Sequence, residues 1–248
     1  MNRHSLSVVC LLAALPTLLA SGCATVSSPQ AQRIAAERVI ASPIRSDQDR
    51  KTDAARKPVE FLLFTGVQPG MRVLDVSAGG GYTSQLLALA VGSGGTVYAQ
   101  TPRPGETLTR RLADHPQPNL VLATRPFEDP VPDDAPKLDL VTLVLNYHDI
   151  SYLPVDRAKM NARIFAALKP GGHYVIVDHS GRPGTGITEG RTLHRIDEAV
   201  VRSEVQNAGF VLEAAGDFLR NPADARDDSS GQPRVPTDKF VLRFVKPG

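Results

Sequence analysis

The sequence predicts an α/β fold in which one mainly parallel sheet is wound on both faces by helices within a single domain. Three observations predict it. Short apolar runs bounded by turn residues recur from Met71 onward, and between them lie segments of helical periodicity long enough for right-handed crossovers. A glycine turn, Gly79-Gly80-Gly81, closes the first run at the end of a strand, where ligands of such sheets bind. The 248 residues are 42% hydrophobic and 22% charged, which excludes chain-wide disorder, a collagen-like repeat and a multi-span membrane protein.

The elements follow in order. Val59, Leu62, Leu63 and Val67 recur at helical spacing, and Gly66 and Pro69-Gly70 end the segment. Met71 to Val76 is a buried strand, Thr83 to Val91 a helix stopped by Gly92, and Thr96 to Ala99 the second strand. A short helix, Glu106 to Asp114, leads to a strand at Leu120 to Thr124. Leu138 to Leu145 is the most apolar strand, and a helix from Pro154 to Leu168 is expected to stop at Pro170-Gly171-Gly172. Tyr174 to Val177 is the fifth strand, and Asp197 to Asn207 is a helix closed by Gly209. Phe210 to Leu219 and Phe240 to Val245 form a hairpin, and the polar stretch Asn221 to Pro236 between them is a surface loop.

Upstream of these elements, Arg3 and His4 precede an apolar run from Leu6 to Ala20 and the small residues Ser21-Gly22-Cys23-Ala24, the layout of a secretory signal. Leu19-Ala20-Ser21-Gly22-Cys23 resembles a bacterial lipobox, which implies an exported, periplasmic protein anchored by a lipid on Cys23, with release by simple cleavage as the alternative. The division is then a signal peptide over 1–22, a tether with an N-terminal helix over 23–57 and the main domain over 58–248. The amphipathic stretch Gln30 to Ala41 is the docking helix of that tether. Both cysteines, Cys10 and Cys23, lie in this leading segment, so the main domain has no thiol catalysis, zinc-cysteine site or disulfide. Lys and Arg exceed Asp and Glu by 28 to 26 without clustering, so no nucleic-acid partner is expected.

Val73-Leu74-Asp75-Val76-Ser77-Ala78-Gly79-Gly80-Gly81-Tyr82-Thr83-Ser84 is the most informative stretch. Its glycines let a ligand approach main-chain N–H groups, and Asp75 can accept hydrogen bonds at the strand end. A plain connecting turn would use the same glycines. Gly79-x-Gly81-x-x-Ser84 also fits a dinucleotide fingerprint loosely, which keeps a nicotinamide-dependent oxidoreductase among the alternatives.

Val-Leu-Asp-x-x-x-Gly-Gly-Gly-Tyr-Thr together with Leu168-Lys169-Pro170-Gly171-Gly172 resembles the class I S-adenosylmethionine-dependent methyltransferases, over Pro58 to Pro247. More narrowly, Asn146-Tyr147-His148-Asp149, Asp178-His179-Ser180, Leu193-His194-Arg195-Ile196-Asp197 and Phe240-Val241-Leu242-Arg243-Phe244 resemble an exported bacterial group of predicted methyltransferases. The resemblance implies a Rossmann-like, doubly wound, seven-stranded sheet whose last strand is antiparallel. It also implies S-adenosylmethionine as cofactor, with Asp75, Ser77, Gly79 and Gly81 at its methionine end, and with Ala78 and with Tyr82, at the start of the following helix, also binding it. Gln100 stands where the family has an acidic residue for the ribose, and Phe127 and Glu128 fall where it contacts adenine.

Methyl transfer is an in-line displacement, so the protein mainly aligns the acceptor and excludes water. His148 is the candidate base, since an imidazole of ordinary pKa near 6.5 takes a proton at neutral pH. Asn146 would orient cofactor or acceptor, with Asp149 beside His148; capping of a helix is the structural alternative for this pair. A divalent metal on Asp149, Asp178 and His179 is conceivable, as in catechol-type methyltransferases, but the spacing is no recognised ligand signature and no metal is assigned. Asp197 is expected to cap its helix and Arg195 to pair with a carboxylate or a substrate acid. The leading expectation is thus methyl transfer to a small-molecule acceptor. A non-catalytic exported nucleoside-binding module of the same fold is the alternative.

Overall fold

The computed structural model describes Met1 and residues 28–248, so the expected signal over 1–22, Cys10 and Cys23 lie outside the described residues. Two helices lead in, α1 (Pro29–Ile40) and α2 (Asp47–Arg56), followed by α3 (Pro58–Thr65). Then come β1 (Arg72–Val76), α4 (Tyr82–Val91), β2 (Thr96–Thr101), α5 (Glu106–Asp114), β3 (Leu120–Thr124) and β4 (Leu138–Val144). The second half holds α6 (Tyr147–Tyr152), α7 (Arg157–Ala167), β5 (Leu168–His179), α8 (Gly190–Leu193), α9 (Glu198–Asn207), β6 (Val211–Gly216) and β7 (Lys239–Val245). The strands form one sheet in the order β3-β2-β1-β4-β5-β7-β6. The first five run parallel, and β7 is inserted antiparallel between β5 and β6.

Alternation along the strands sorts side chains between two cores. Leu74, Val76, Val141, Leu143, Tyr174, Ile176, Leu242 and Phe244 face α6, α7 and α9 on one side. Their neighbours Val73, Leu140, Val175, Val177 and Val241 face α1, α3, α4 and α5 on the other. Burial on both faces is why these strands read as continuous apolar runs.

The expected elements are present, with shifted boundaries. The helix expected from Pro154 starts at Arg157, because Asp156 is its N-cap and accepts from the Lys159 N–H at 2.9 Å. Leu153, extended ahead of Pro154, separates it from the short α6 that begins right after β4. The fifth strand is 12 residues long instead of four, since Leu168 already pairs with Leu138 and an irregularity near Leu138 and Leu140 absorbs Pro170-Gly171-Gly172 before regular pairing resumes at His173. The stretch 221–236 forms no strand or helix, as expected, but its Asp224 is buried on Arg195.

The segment expected as a tether contributes more than a docking helix. α1 packs on α3 and α4, and Ala36 enters the core on that side. α2 has almost no apolar face and is held by charge instead. Arg111 of α5 reaches Asp49 with two hydrogen bonds of 2.7 Å and also donates to the Gly80 carbonyl at 2.7 Å. Among the described residues no helix is long and apolar enough to cross a membrane.

Asp49 is nearly buried, so removing its carboxylate strands the Arg111 guanidinium. Asp49→Ala is expected to cost about 2–3 kcal/mol in urea denaturation. A loss below about 0.5 kcal/mol, the range of an exposed pair, would show that α2 does not depend on this contact.

Candidate functional site

The carboxyl ends of β1 and β4 lie side by side, with Asp75 paired to Thr142 and Val76 to Leu143. This is the point where strand order reverses, the customary ligand crevice of an open α/β sheet. Asp75 is buried there, accepting from the Ser84 hydroxyl at 2.5 Å and the Thr142 hydroxyl at 2.7 Å. Burial drives its pKa up to about 6, against the opposing pull of the two hydroxyls and of nearby Arg56. Ser84 entered the sequence reading only as the last position of the dinucleotide fingerprint, and Thr142 not at all. Thr142 carried a readable signal, as a lone polar residue amid Val141 and Leu143 of the most apolar strand.

The turn after Asp75 has the backbone a phosphate- or carboxylate-cradling loop needs. Gly79 and Gly81 have φ values of 55° and 81°, in the left-handed region. A Cβ on Gly79 would meet nothing nearer than the Ser77 carbonyl at 3.9 Å, so the residue looks onto open space. Gly81 is the N-cap of α4 and offers no side-chain cap, which leaves first-turn N–H groups and the positive helix end facing the crevice. Ser77 adopts φ 58° without being glycine, and its N–H donates to Gln100 Oε1 at 2.9 Å. Ala78 N–H donates to the Gln100 carbonyl at 2.8 Å.

Gln100 therefore departs from the expected ribose contact. It is wholly buried, and its Nε2 donates to the Arg125 carbonyl at 2.6 Å. The amide is spent at both ends on tying the loops after β1, β2 and β3 together. Phe127 and Glu128 sit in the turn after β3, half-buried, with Phe127 packed against the core. Tyr82 opens α4 and points its hydroxyl at Asp53 of α2, 2.7 Å away. Arg56 lies over the Tyr82 ring at 5.6 Å, and the two line a cleft with Leu145 and Lys239. Burial lowers the pKa of both Arg56 and Lys239.

At the end of β4, Leu145 turns through a left-handed backbone and Asn146 becomes the N-cap of α6, half-buried and capping no N–H with its side chain. His148 is buried in the first turn of α6. Its Nδ1 lies 2.6 Å from Asp178 Oδ1, and its backbone N–H donates to Asp178 Oδ2 at 2.8 Å. Burial alone would depress the His148 pKa, but Asp178 and Asp149 outweigh it and hold the imidazole up, to about 10. The two carboxylates thus shift His148 upward from the ordinary imidazole value on which its assignment as a base rested. The capping alternative is not what the pair does, because both residues lie inside α6.

The trio Asp149, Asp178 and His179 is not brought together as ligands. Asp178 is committed to His148 and to the His179 N–H at 2.7 Å, while His179 Nδ1 faces Thr237 Oγ1 at 2.9 Å. Burial, with Lys239 and His148 close by, drives the His179 pKa down to about 2 and keeps the ring neutral. His194, assigned no role from the sequence, instead meets Asp149: Nδ1 and Oδ1 are 3.0 Å apart. Asp197 caps α9 by accepting from the Ala199 N–H at 2.9 Å, as expected. Arg195 pairs with carboxylates of its own chain, Asp224 at 2.8 Å and Asp228 at 3.2 Å, and is fully buried, so it is not open to a substrate acid.

No family model matches the sequence, and no curated protein is similar to it. Solved structures are similar in fold. A S-adenosylmethionine-dependent methyltransferase from Aquifex aeolicus superposes with a TM-score of 0.58 at 18% identity, covering 82% of this chain and 100% of that one. A proposed sarcosine dimethylglycine methyltransferase from Galdieria sulphuraria gives 0.57 at 18% identity, over 85% and 91%. A S-adenosylmethionine-dependent O-methyltransferase from Thermotoga maritima gives 0.50 at 18% identity, over 88% and 71%. The fold is that of the S-adenosylmethionine-dependent methyltransferases. Within this methyltransferase fold, the Asp75–Gly81 loop and the Asn146–Asp149 segment occupy the ends of neighbouring central strands.

Two predictions follow from the loop after β1. The left-handed backbone of Ser77 costs roughly 1–2 kcal/mol, which glycine avoids at some expense in chain entropy. Ser77→Gly is expected to raise stability by about 0.5–1 kcal/mol, read as a higher urea midpoint at unchanged slope; a lower midpoint would contradict the strain. For Asp75, the raised pKa means that the folded state holds its proton more tightly than the unfolded state. Its contribution is most favourable below about pH 4 and declines as pH rises to about 6. The stability difference between wild type and Asp75→Asn should therefore shift against wild type by on the order of 3 kcal/mol over that window. A difference independent of pH would place an ionised Asp75 in the native protein throughout.

Proposed function

We propose that the protein is a S-adenosylmethionine-dependent methyltransferase acting on a small-molecule acceptor. The observation that carries this reading is the loop from Asp75 to Gly81, whose left-handed glycines open onto the uncapped start of α4 beside the end of β4. When bound, the cofactor supplies an electrophilic methyl group on a sulfonium. The first-turn N–H groups of α4, with Arg56 and Lys239 at the margin of the adjoining cleft, would receive its methionine carboxylate. Gly79 leaves the room for that approach. The ribose is not assigned to Gln100, whose amide holds the loops together. The role of Phe127 and Glu128 is to border the adenine end.

Asn146, with an uncommitted side chain at the end of β4, would orient the acceptor. The apolar wall of Val144, Leu145, Val177 and Leu219 around the cleft would exclude water from the transfer. Solved proteins of this fold act on different acceptors, as the proposed sarcosine dimethylglycine enzyme and the O-methyltransferase show. Their range supports methyl transfer without selecting an acceptor atom. We place the protein on the exported side of a membrane, lipid-anchored through Cys23, on the strength of the signal-like residues 1–22 alone.

Calorimetric titration of the protein with S-adenosylmethionine, S-adenosylhomocysteine and NAD tests the reading. One-site binding of both sulfur nucleosides is expected, with no heat from NAD and at least tenfold weaker binding in a folded Gly79→Ala variant. Silence with both sulfur nucleosides, or binding of NAD instead, would refute it.

A further inference from the structure

His148, Asp149 and His194 form a cluster that the reading above leaves partly unused. Asp149 Oδ1 lies 3.3 Å from His148 Nε2 and 3.0 Å from His194 Nδ1. One ligand atom from each of the three residues lies within 4.8 Å of the other two. Donor atoms bonded at about 2.0–2.2 Å to one first-row metal ion stand roughly 2.8–3.6 Å apart, whether the geometry is octahedral or tetrahedral. Both Asp149 separations fall in that interval. We propose that His148 Nε2, Asp149 and His194 Nδ1 bind a divalent transition-metal ion, which displaces the proton from His148 Nε2 to solvent as it binds.

The surroundings are those of a built site. Of the two ring nitrogens of His148, Nδ1 faces the fully buried carboxylate of Asp178 at 2.6 Å, which leaves Nε2 turned toward Asp149. That carboxylate-histidine pairing fixes tautomer and ring orientation, as the partners behind metal-bound imidazoles do. Because Asp178 also accepts from the His148 backbone N–H at 2.8 Å, the ring has little freedom to swing away. Asp149 is steadied in turn by the Tyr152 hydroxyl, 3.0 Å from the same oxygen. His194 joins the cluster through a left-handed backbone at φ 52° that ends α8. Such strain in a non-glycine residue persists where its surroundings hold it and is concentrated at functional sites.

Two imidazoles and one carboxylate suit zinc, iron(II), cobalt(II) or manganese better than magnesium or calcium, which prefer an all-oxygen shell. Burial is graded across the trio: His148 is 4% exposed, Asp149 31% and His194 43% in their side chains. Three protein ligands on a half-open surface leave coordination positions for water or a small oxygen ligand, the pattern of a catalytic or substrate-orienting metal and not of a closed structural one. The site lies on α6, the helix that starts where β4 ends. The inference stands on these residues alone and does not require that the protein transfer methyl groups.

The test uses the full chain, stripped with a chelator and then titrated with cobalt(II), followed by its visible absorption and by calorimetry. One equivalent is expected to bind, with ligand-field bands of a nitrogen and oxygen site. His194→Asn, chosen because asparagine tolerates a left-handed backbone, and Asp149→Ala should each weaken binding at least tenfold while the protein stays folded by circular dichroism. Asp178→Asn should weaken it about 10- to 100-fold through loss of the orienting carboxylate. His173→Ala, at a histidine paired with Glu213 on β5, should leave it unchanged. Binding well below one equivalent, or equal in wild type and both ligand variants, would overturn the proposal. Titration with S-adenosylmethionine is a separate experiment, so either result can fail alone.

Discussion

The buried carboxylate of Asp178 is the interaction on which the site depends. It ends β5, has no exposure to solvent, and accepts from the backbone N–H groups of His148 and His179 as well as facing the His148 ring. A carboxylate in that position without donors would cost several kcal/mol, so the start of α6 is held in the one place that supplies them. Everything on α6 inherits this placement. Tyr147 and Ile150 go into the core, while His148 turns inward to Asp178 and Asp149 comes out beside it toward α8. The same atom set that satisfies a buried charge thus decides which nitrogen of His148 is presented to the surface.

Strain is spent in the same neighbourhood. Ser77, Leu145 and His194 all have left-handed backbones, after β1, after β4 and after α8. Each is held by specific bonds: Ser77 N–H to Gln100 at 2.9 Å, Leu145 N–H to the Val177 carbonyl at 2.7 Å, and the His194 ring to Asp149 at 3.0 Å. Non-glycine residues in this region cost of order 1–3 kcal/mol each, which regular elements elsewhere must offset. The two buried faces of the sheet supply that surplus; Ser77 and Leu145 lie where the chain leaves the sheet, and His194 where α8 ends.

What the sequence disclosed and what it concealed divide along range of interaction. Strands and crossover helices were legible because burial on two faces writes continuous apolar runs, and the glycine turn because its backbone needs are local. α2 was not, since Asp47-Gln48-Asp49-Arg50 and the residues after it carry no apolar stripe; its fold depends on Arg111, 62 positions away from Asp49. Gln100 was placed at the right strand end, but its bonds to Ser77 and Arg125 were not foreseen, because those partners come from two other loops. His148 was found for its chemistry, and the upward shift of its pKa was not foreseen because Asp178 reaches it only through the pairing of β4 with β5. The helix split at Leu153-Pro154 was within reach of local rules, since the residue before proline avoids helical backbone.

The antiparallel strand adds something that a wholly parallel sheet could not. In β1 through β5 the carboxyl ends face the crevice, but β7 enters the sheet in reverse, so its beginning lies there, with Lys239 opposite His179. The chain from Phe218 to Asp238 is thereby drawn along the crevice before β7 starts. A loop that polar would ordinarily stay in solvent, yet Arg195 is fully buried, and its guanidinium donates to Asp224, Asp228 and the Ser180 carbonyl. Asp238 adds Arg220 and Arg226 to the same network. A buried arginine with several acidic partners is poor evidence of net stability, but it fixes position strongly, because losing any one partner leaves charge uncompensated. Its effect here is to pin a long loop beside the carboxyl end of β5.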